Sequence, residues 1–450
     1  MQCTVLIVGK TDVKKRCITL GRTLDREETL SEYKALTPET LAQRLSGLNA
    51  IVEKIGSDFK SWDVQEVGDG NLNLVFIVKG TAGTVIVKQA LPYVRLVGDS
   101  WPLPLKRAFF EYHAMTRQAA HDPGRVPKIL YFDETQALII MEFLSPHIIL
   151  RHQMMAGKKV DDLGSVIGIF CARTAFRSSD LSMVTKQKKA DLALFSDNVE
   201  LCDITENLVF TDPYFDAEMN QHNSPRLDKY VADLRSDQRL KVEAQHMKRA
   251  FSAKAECLCH GDLHAGSIMV TPSEAKVIDP EFAFYGPFGF DIGMLIGNYL
   301  MAYHSMSSHI KDTKECAEYQ AWILDVIRDT WSSFCEEFSK LWHSERNGIL
   351  YPSSLYEDQG HDAASEMALK QLLDEIFADL LGFAGIEMHR RILGLAHVAE
   401  LDSIEDLDDR ARQETKALAL GRKLVLNRNS VQDIAQVIAL AAKYENGELA

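Results

Sequence analysis

The run Cys257-Leu258-Cys259-His260-Gly261-Asp262-Leu263-His264-Ala265-Gly266-Ser267-Ile268-Met269-Val270 gathers more reactive side chains than any other stretch of the chain. Seventeen residues after Asp262 comes Asp279, within Ile278-Asp279-Pro280-Glu281. An H-G-D-x-H loop, a short apolar strand and then an acidic D-x-E supply the parts that phosphoryl transfer needs. Asp262 can orient an attacking hydroxyl and accept its proton, and a separate acidic pair, Asp279 and Glu281, can hold Mg²⁺ against nucleotide phosphates. Two blander readings stand beside this one. Cys257, Cys259, His260 and His264 carry zinc-binding atoms, but C-x-C-H-x₃-H is not a common finger or ribbon spacing, and burial is the simpler expectation. Asp262 and Asp279 could also be turn-forming aspartates, which are plentiful.

Such a loop must hang on a scaffold, and the periodicity of the chain outlines one. From Trp62 short β-branched runs (Val64–Val67, Leu74–Val78, Thr84–Lys88) alternate with glycine-containing turns, which predicts an antiparallel sheet. Pro92–Pro104, with three prolines and Trp101, reads as a loop; a helix is expected over 105–120 and a strand over 137–144, broken by Ser145-Pro146. Beyond Asp161 the patterns are helical (290–310, 316–343, 363–383, 385–400, 405–445), apart from a strand-rich island at 257–285. The fold class is therefore α+β, with a small β-rich front, a large α-rich back and a cleft between them.

The front carries its own candidates. Gly68 and Gly70 lie between two strands, where exposed N–H groups can cradle phosphate, although most such pairs are only turns. Lys88 ends the third strand, where an antiparallel neighbour would bring it beneath that loop, and Glu111 falls on the next helix. Taken singly, each is as well explained by an exposed side chain. Val8-Gly9-Lys10-Thr11 looks like the end of a P-loop, but Thr4 stands where that pattern requires glycine.

H-G-D-x-H followed by D-x-E resembles the aminoglycoside and choline phosphotransferases, relatives of the protein kinases. HGDLHAGS with DPE is similar to the narrower family of 5-methylthioribose kinases. Ser267 stands where most relatives have asparagine, as in that family; Ala265 departs from its usual threonine. The resemblance spans about residues 37–430 and implies a bilobal protein-kinase-like fold: an N-terminal extension at 1–36, an N-lobe at 37–144 and a helical C-lobe at 145–450. It implies that Gly68, Asp69, Gly70, Asn71 and Asn73 line the nucleotide loop, that Lys88 holds phosphates and pairs with Glu111, and that adenine bonds the backbone around Glu142, Phe143 and Leu144. Asp279, Pro280 and Glu281 would then serve ATP and Mg²⁺, with Asp279 and Glu281 as metal ligands. Asp291, by pattern an N-cap, would support the catalytic loop, and Trp101 would belong to a loop beside the nucleotide cleft.

Asp291 follows Glu281 by only ten positions, too few for a peptide-docking platform, so a small acceptor is expected. Arg390-Arg391 are adjacent and would diverge by about 100° on a helix, so by pattern alone one of them would be a surface ion pair. The resemblance makes both of them, with Asp262, contacts of the acceptor and the transferring phosphate. It implies transfer from ATP to the 1-hydroxyl of 5-methylthioribose in methionine salvage, by a homodimer. The rivals are a phosphotransferase for another small alcohol (an aminoglycoside, choline or another sugar) and a non-catalytic kinase-fold binding protein.

Composition narrows the rest. With 50 Lys plus Arg against 64 Asp plus Glu the net charge is −14, which argues against a broad nucleic-acid footprint or a polybasic membrane surface. Eight irregularly spaced cysteines suggest reduced thiols, and no apolar run is long enough to span a membrane, so a cytoplasmic protein is expected.

Overall fold

The computed structural model describes residues 33–67, 72–94 and 98–448. The P-loop look-alike at Val8–Thr11 and the loop residues Gly68, Asp69, Gly70 and Asn71 lie outside them. The front is a five-stranded sheet built from β1 (Asp63–Glu66), β2 (Asn73–Lys79), β3 (Thr84–Ala90), β4 (Ile129–Asp133) and β5 (Leu138–Glu142). Its order is β1-β2-β3-β5-β4 and every pair is antiparallel.

Strand periodicity decides where the chemistry points, because alternate side chains leave opposite faces. Val85 and Val87 of β3 join Phe76, Val78, Leu138 and Ile140 in a core closed by two helices, Pro38–Leu45 and Asn49–Ile55. Lys88 is one residue out of phase and faces the other side, which α1 (Arg107–His121) covers. Glu111 of α1 is buried there. Residues 33–36 also lie on the sheet: the Tyr33 hydroxyl donates to Ala90 O at 2.9 Å, and Leu36 N donates to Gln89 Oε1 at 2.8 Å. The segment read as a loop at 92–104 carries a short ribbon, Tyr93–Val94 paired with Gly98–Pro102. Its terminal proline sits where no ladder N–H is needed.

The back is helical. α2 (Leu163–Arg177), α3 (Phe290–His309), α4 (Thr313–Ser344), α5 (Asp362–Leu393) and α6 (Leu407–Asn427) enclose the largest core. Two boundaries differ from the periodicity. The stretches 363–383 and 385–400 begin as one helix, α5, which runs to Leu393. Gly382 and Gly385 do not break it: an ideal Cβ on Gly385 would lie 2.3 Å from Gly421 O, so the glycine serves a close helix–helix approach rather than a turn. The stretch 405–445 is instead two helices, α6 and Ile434–Glu445, divided at Asn427–Asp433.

The strand-rich island forms two small ribbons. β6 (Cys257–Cys259) pairs with β9 (Phe284–Gly286), and β7 (Ile268–Val270) pairs with β8 (Ala275–Val277). The loops 260–267 and 278–283 therefore leave neighbouring ribbons side by side. Against them lies α3, buried almost throughout.

α3 meets α5 along Gly289, Gly293 and Gly297, where added Cβ atoms would come 2.7, 2.7 and 2.6 Å from the carbonyl oxygens of Ile376, Leu380 and Ala384. That approach sets the position of the C-terminal turn of α5, which carries Arg390 and Arg391. Gly293→Ala gains helix propensity but forces the helices apart, so the unfolding free energy should fall by about 1–3 kcal/mol. Denaturant titration reads it, and an unchanged midpoint would show that the contact is slack.

Candidate active site

The loop after β6 is folded by its own backbone demands. Gly261 has φ 88° and passes so close to Phe282 O that a Cβ would lie 2.1 Å away, so no side chain fits there. Asp291 does not cap its own helix. Its carboxylate accepts from the backbone N–H of His260 at 2.6 Å and of Gly261 at 3.0 Å, fixing the loop's entry. His260 Nε2 donates to Ile278 O at 2.9 Å and its Nδ1 accepts from Asp262 N at 3.3 Å, so one imidazole ties both loops together. Ser267 spends its hydroxyl inside the loop: it accepts from His264 N at 2.9 Å and donates to Asp262 O at 3.0 Å.

Asp262 sits at the loop's tip with a third of its side chain exposed. Its Oδ1 accepts from Arg390 Nη2 at 3.1 Å and from Arg391 Nη2 at 3.2 Å. Its Oδ2 lies 3.2 Å from His264 Nε2. His264 Nδ1 already accepts from Gly266 N at 2.8 Å and faces Arg151 Nη2 at 3.3 Å, so the ring's proton belongs on Nε2, directed at Asp262. Burial, with Arg391 and Arg151 adding to it, outweighs the pull of Asp262 and keeps that imidazole below its usual range. Burial also works against the charge on Asp262, but His264, Arg391 and Arg390 outweigh it and hold the carboxyl well below the ordinary value.

The two arginines share a second partner. Arg391 Nε donates to Glu387 Oε1 at 2.7 Å, and Arg390 Nε donates to Glu387 Oε2. Glu387 is fully buried and also receives Asn298 Nδ2 at 2.8 Å. Asn298 Oδ1 in turn accepts from Arg151 Nη2 at 3.0 Å, and Arg151 is paired with buried Glu400.

Beside this loop, Lys88 Nζ donates to Glu111 Oε1 at 2.9 Å and to Asp279 Oδ1. Burial disfavours its charge, yet Asp279, Glu111 and Glu281 together raise its value above the ordinary one. Three carboxylates around one ammonium leave one acid poorly compensated. That acid is Glu111, which burial pushes up to about 8 against the pull of Lys88. Asp279 is half exposed and has φ 69°, a left-handed conformation that aspartate tolerates better than most residues. Glu281 is buried, bonded to Arg107 Nε at 3.1 Å and to Asn73 Nδ2 at 3.2 Å.

Among the described residues, Glu111, Asp279 and Glu281 are the only group of three metal-capable side chains whose ligand atoms gather, within 4.8 Å of one another. All are hard oxygen donors, which suits Mg²⁺. The donor set is compatible with the sequence expectation for Asp279 and Glu281, because Oε1 of Glu281 carries only one long contact, from Asn73 at 3.3 Å. Cys257, Cys259, His260 and His264 do not gather into a comparable group; both cysteines are buried in the core.

The other expected positions are spread around this centre. Glu142 ends β5 and its N–H donates to Lys128 O at 2.9 Å; Phe143 is partly exposed and Leu144 is buried. Pro280 lies between the two acids. Trp101 borders an open cavity of about 510 Å³ with Phe215, Met219 and three acidic residues of the segment 212–219. Sequence reasoning passed over four residues. Arg107, wholly buried, also binds the carbonyls of Leu91, Pro104 and Leu72. His264 was weighed only as a zinc ligand. Glu387 had a legible signal, an acid three and four residues before a double arginine. Asn298 had none.

Residues 63–310 match the phosphotransferase enzyme family. A methylthioribose kinase of Escherichia coli is 45% identical over 91% of this chain and 98% of its own length. Methylthioribose kinase 1 of Oryza sativa is 40% identical over 92% and 96%, and a methylthioribose kinase of Geobacillus kaustophilus is 46% identical over 81% and 87%.

Two tests address the geometry. Arg107→Ala strands Glu281 as a buried charge, which should lower the unfolding free energy by about 3–5 kcal/mol in a denaturant titration; a loss under about 1 kcal/mol would mean that water replaces the guanidinium. Asp262 has a depressed folded value, so its ionised form stabilises the native state above the unfolded value near ~3.9, and that contribution is lost as pH falls through the folded value. Below about pH 4 the unfolding free energy of Asp262→Asn should therefore fall less steeply with acid than that of the wild type; parallel slopes would contradict the charge arrangement.

Proposed function

The chain belongs to the methylthioribose kinase family, and from that premise we propose that it transfers the γ-phosphoryl group of ATP to the 1-hydroxyl of 5-methylthioribose. The products are 5-methylthioribose 1-phosphate and ADP, a step of methionine salvage. The observation that carries this reading is the convergence of Arg390 and Arg391 on the Oδ1 of Asp262, on a loop beside the one that carries Asp279 and Glu281 of the acidic cluster.

Asp262 orients the anomeric hydroxyl. Transfer of this kind passes through a loose transition state, so the hydroxyl need not lose its proton early, and a weakly basic carboxylate suffices. Arg390 and Arg391 supply charge to the equatorial oxygens of the transferring group. As their Nη2 ends turn to phosphate they leave Asp262, whose basicity then rises when the proton is released to it. Lys88, kept charged chiefly by Asp279 and hydrogen-bonded to Glu111, holds the α- and β-phosphates. Asp279 and Glu281 would hold Mg²⁺, which when bound neutralises charge along the nucleotide phosphates. In the N-lobe (37–144), Gly68, Asp69, Gly70, Asn71 and Asn73 are assigned to the phosphate loop. The backbone around Glu142, Phe143 and Leu144 is assigned to adenine, and Pro280 sets the spacing of the two acids. The C-lobe (145–450) holds the sugar. A cytoplasmic homodimer is the proposed working form; no helix among the described residues is long and apolar enough to cross a membrane.

Positioning and electrostatics supply most of such catalysis. Asp262→Asn should lower turnover of 5-methylthioribose by at least about 10³-fold while ATP affinity stays within a factor of about two. Steady-state rates and calorimetric ATP binding check this together, and near wild-type turnover would remove Asp262 from its role.

A further inference from the structure

We propose that Glu387 is a positioning residue of the transfer reaction: a buried anion that turns two divergent arginines onto one target. Neighbours on a helix point about 100° apart, so Arg390 and Arg391 have no intrinsic reason to meet. Glu387 lies three residues before one and four before the other, which places it one turn back, between the two directions. Long side chains on a helix lean toward its N-terminus, so both arginines sweep back across this carboxylate.

Each guanidinium then divides its donors in the same way. Nε goes to Glu387, one oxygen per arginine, and Nη2 goes to Asp262. The fork of an arginine can make both bonds at once, whereas a lysine ammonium lacks this planar fork. The Nε ends stay anchored while the Nη2 ends can exchange one anion for another.

Glu387 is itself held. Asn298 Nδ2 fixes its Oε1, and the neighbouring Gly297 lets α3 approach until an added Cβ would be 3.1 Å from the Cβ of Glu387. Arg151 fixes Asn298 from behind and reaches His264, which touches the other oxygen of Asp262. The network closes on the catalytic loop from two sides, and Glu387 touches both arginines at the ends opposite to those that reach Asp262.

The inference rests on the reaction proposed above and is tested against it in one assay. A glutamine at 387 offers one acceptor and one donor, so it can hold one arginine but repels the other. Glu387→Gln should lower kcat for 5-methylthioribose about 100-fold with ATP affinity unchanged within about twofold. Glu387→Asp keeps both acceptors one methylene short and should recover at least about tenfold of that loss. If the glutamine variant does not accumulate folded, the aspartate variant carries the test: a lower kcat at unchanged ATP affinity supports the role, and an unchanged kcat overturns it. The role is also overturned if Glu387→Gln keeps kcat within about threefold, if kcat and ATP affinity fall in proportion as for a general loosening, or if aspartate is no better than glutamine. Wild-type protein inactive on 5-methylthioribose would sink the proposed reaction instead, so the two failures are distinguishable.

Discussion

The Oδ1 of Asp262 accepts from two guanidinium groups at once, and most of the C-lobe is arranged to make that possible. Two cations would not share one oxygen unaided. They do so because Glu387 takes their other ends inside a low-dielectric interior, where unpaired charge is expensive. Burial works against ionising Glu387, but Arg390 and Arg391 bring its carboxyl down to about 2. The glycine seam between α3 and α5 sets the distance over which this can happen, and Asp291 and Gly261 fix the loop that brings Asp262 to it.

The same logic, with the signs exchanged, governs the neighbouring acidic cluster. Lys88 and Arg107 are the buried cations there, facing Glu111, Asp279 and Glu281. Arg107 and Asn73 come from the N-lobe and Glu281 from the C-lobe, so this pairing joins the lobes where the nucleotide is proposed to sit. Three acids against one lysine and one engaged arginine leave the cluster short of positive charge, a deficit that suits a divalent cation. An overall charge of −14 says nothing of this, because it is a sum over the whole chain while the site is set by the few charged side chains named above.

Much of this was legible in the sequence, for identifiable reasons. Local periodicity located the sheet, α1 and the β-ribbons, and motif spacing located Asp262, Asp279, Glu281, Lys88 and Glu111. The pairing of Lys88 with Glu111, which the resemblance implied, is present as a buried ion pair. The boundary expected between 363–383 and 385–400 is absent because Gly385 sits inside one helix, at a close contact with Gly421. What stayed hidden was long-range: Arg107 to Glu281 spans 174 residues and Asn298 to Glu387 spans 89, and no local pattern encodes such pairs. His264 was visible only as a zinc candidate set below simple burial, and its contact with Asp262 was not anticipated; its Nδ1 is taken by the backbone N–H of Gly266. Residues 68–71, on which the nucleotide-loop assignment rests, lie outside the described structure.

The central claim is that this cleft phosphorylates one particular hydroxyl of one small sugar. Phosphorus NMR of the full chain with ATP, Mg²⁺ and an equimolar mixture of 5-methylthioribose, choline and an aminoglycoside tests it most directly. The account predicts one new phosphomonoester signal, coupled to the anomeric proton of 5-methylthioribose, growing as the γ-phosphate of ATP disappears. A phosphate on choline, on the aminoglycoside or on a different hydroxyl of the sugar would contradict it, as would ATP that remains unchanged.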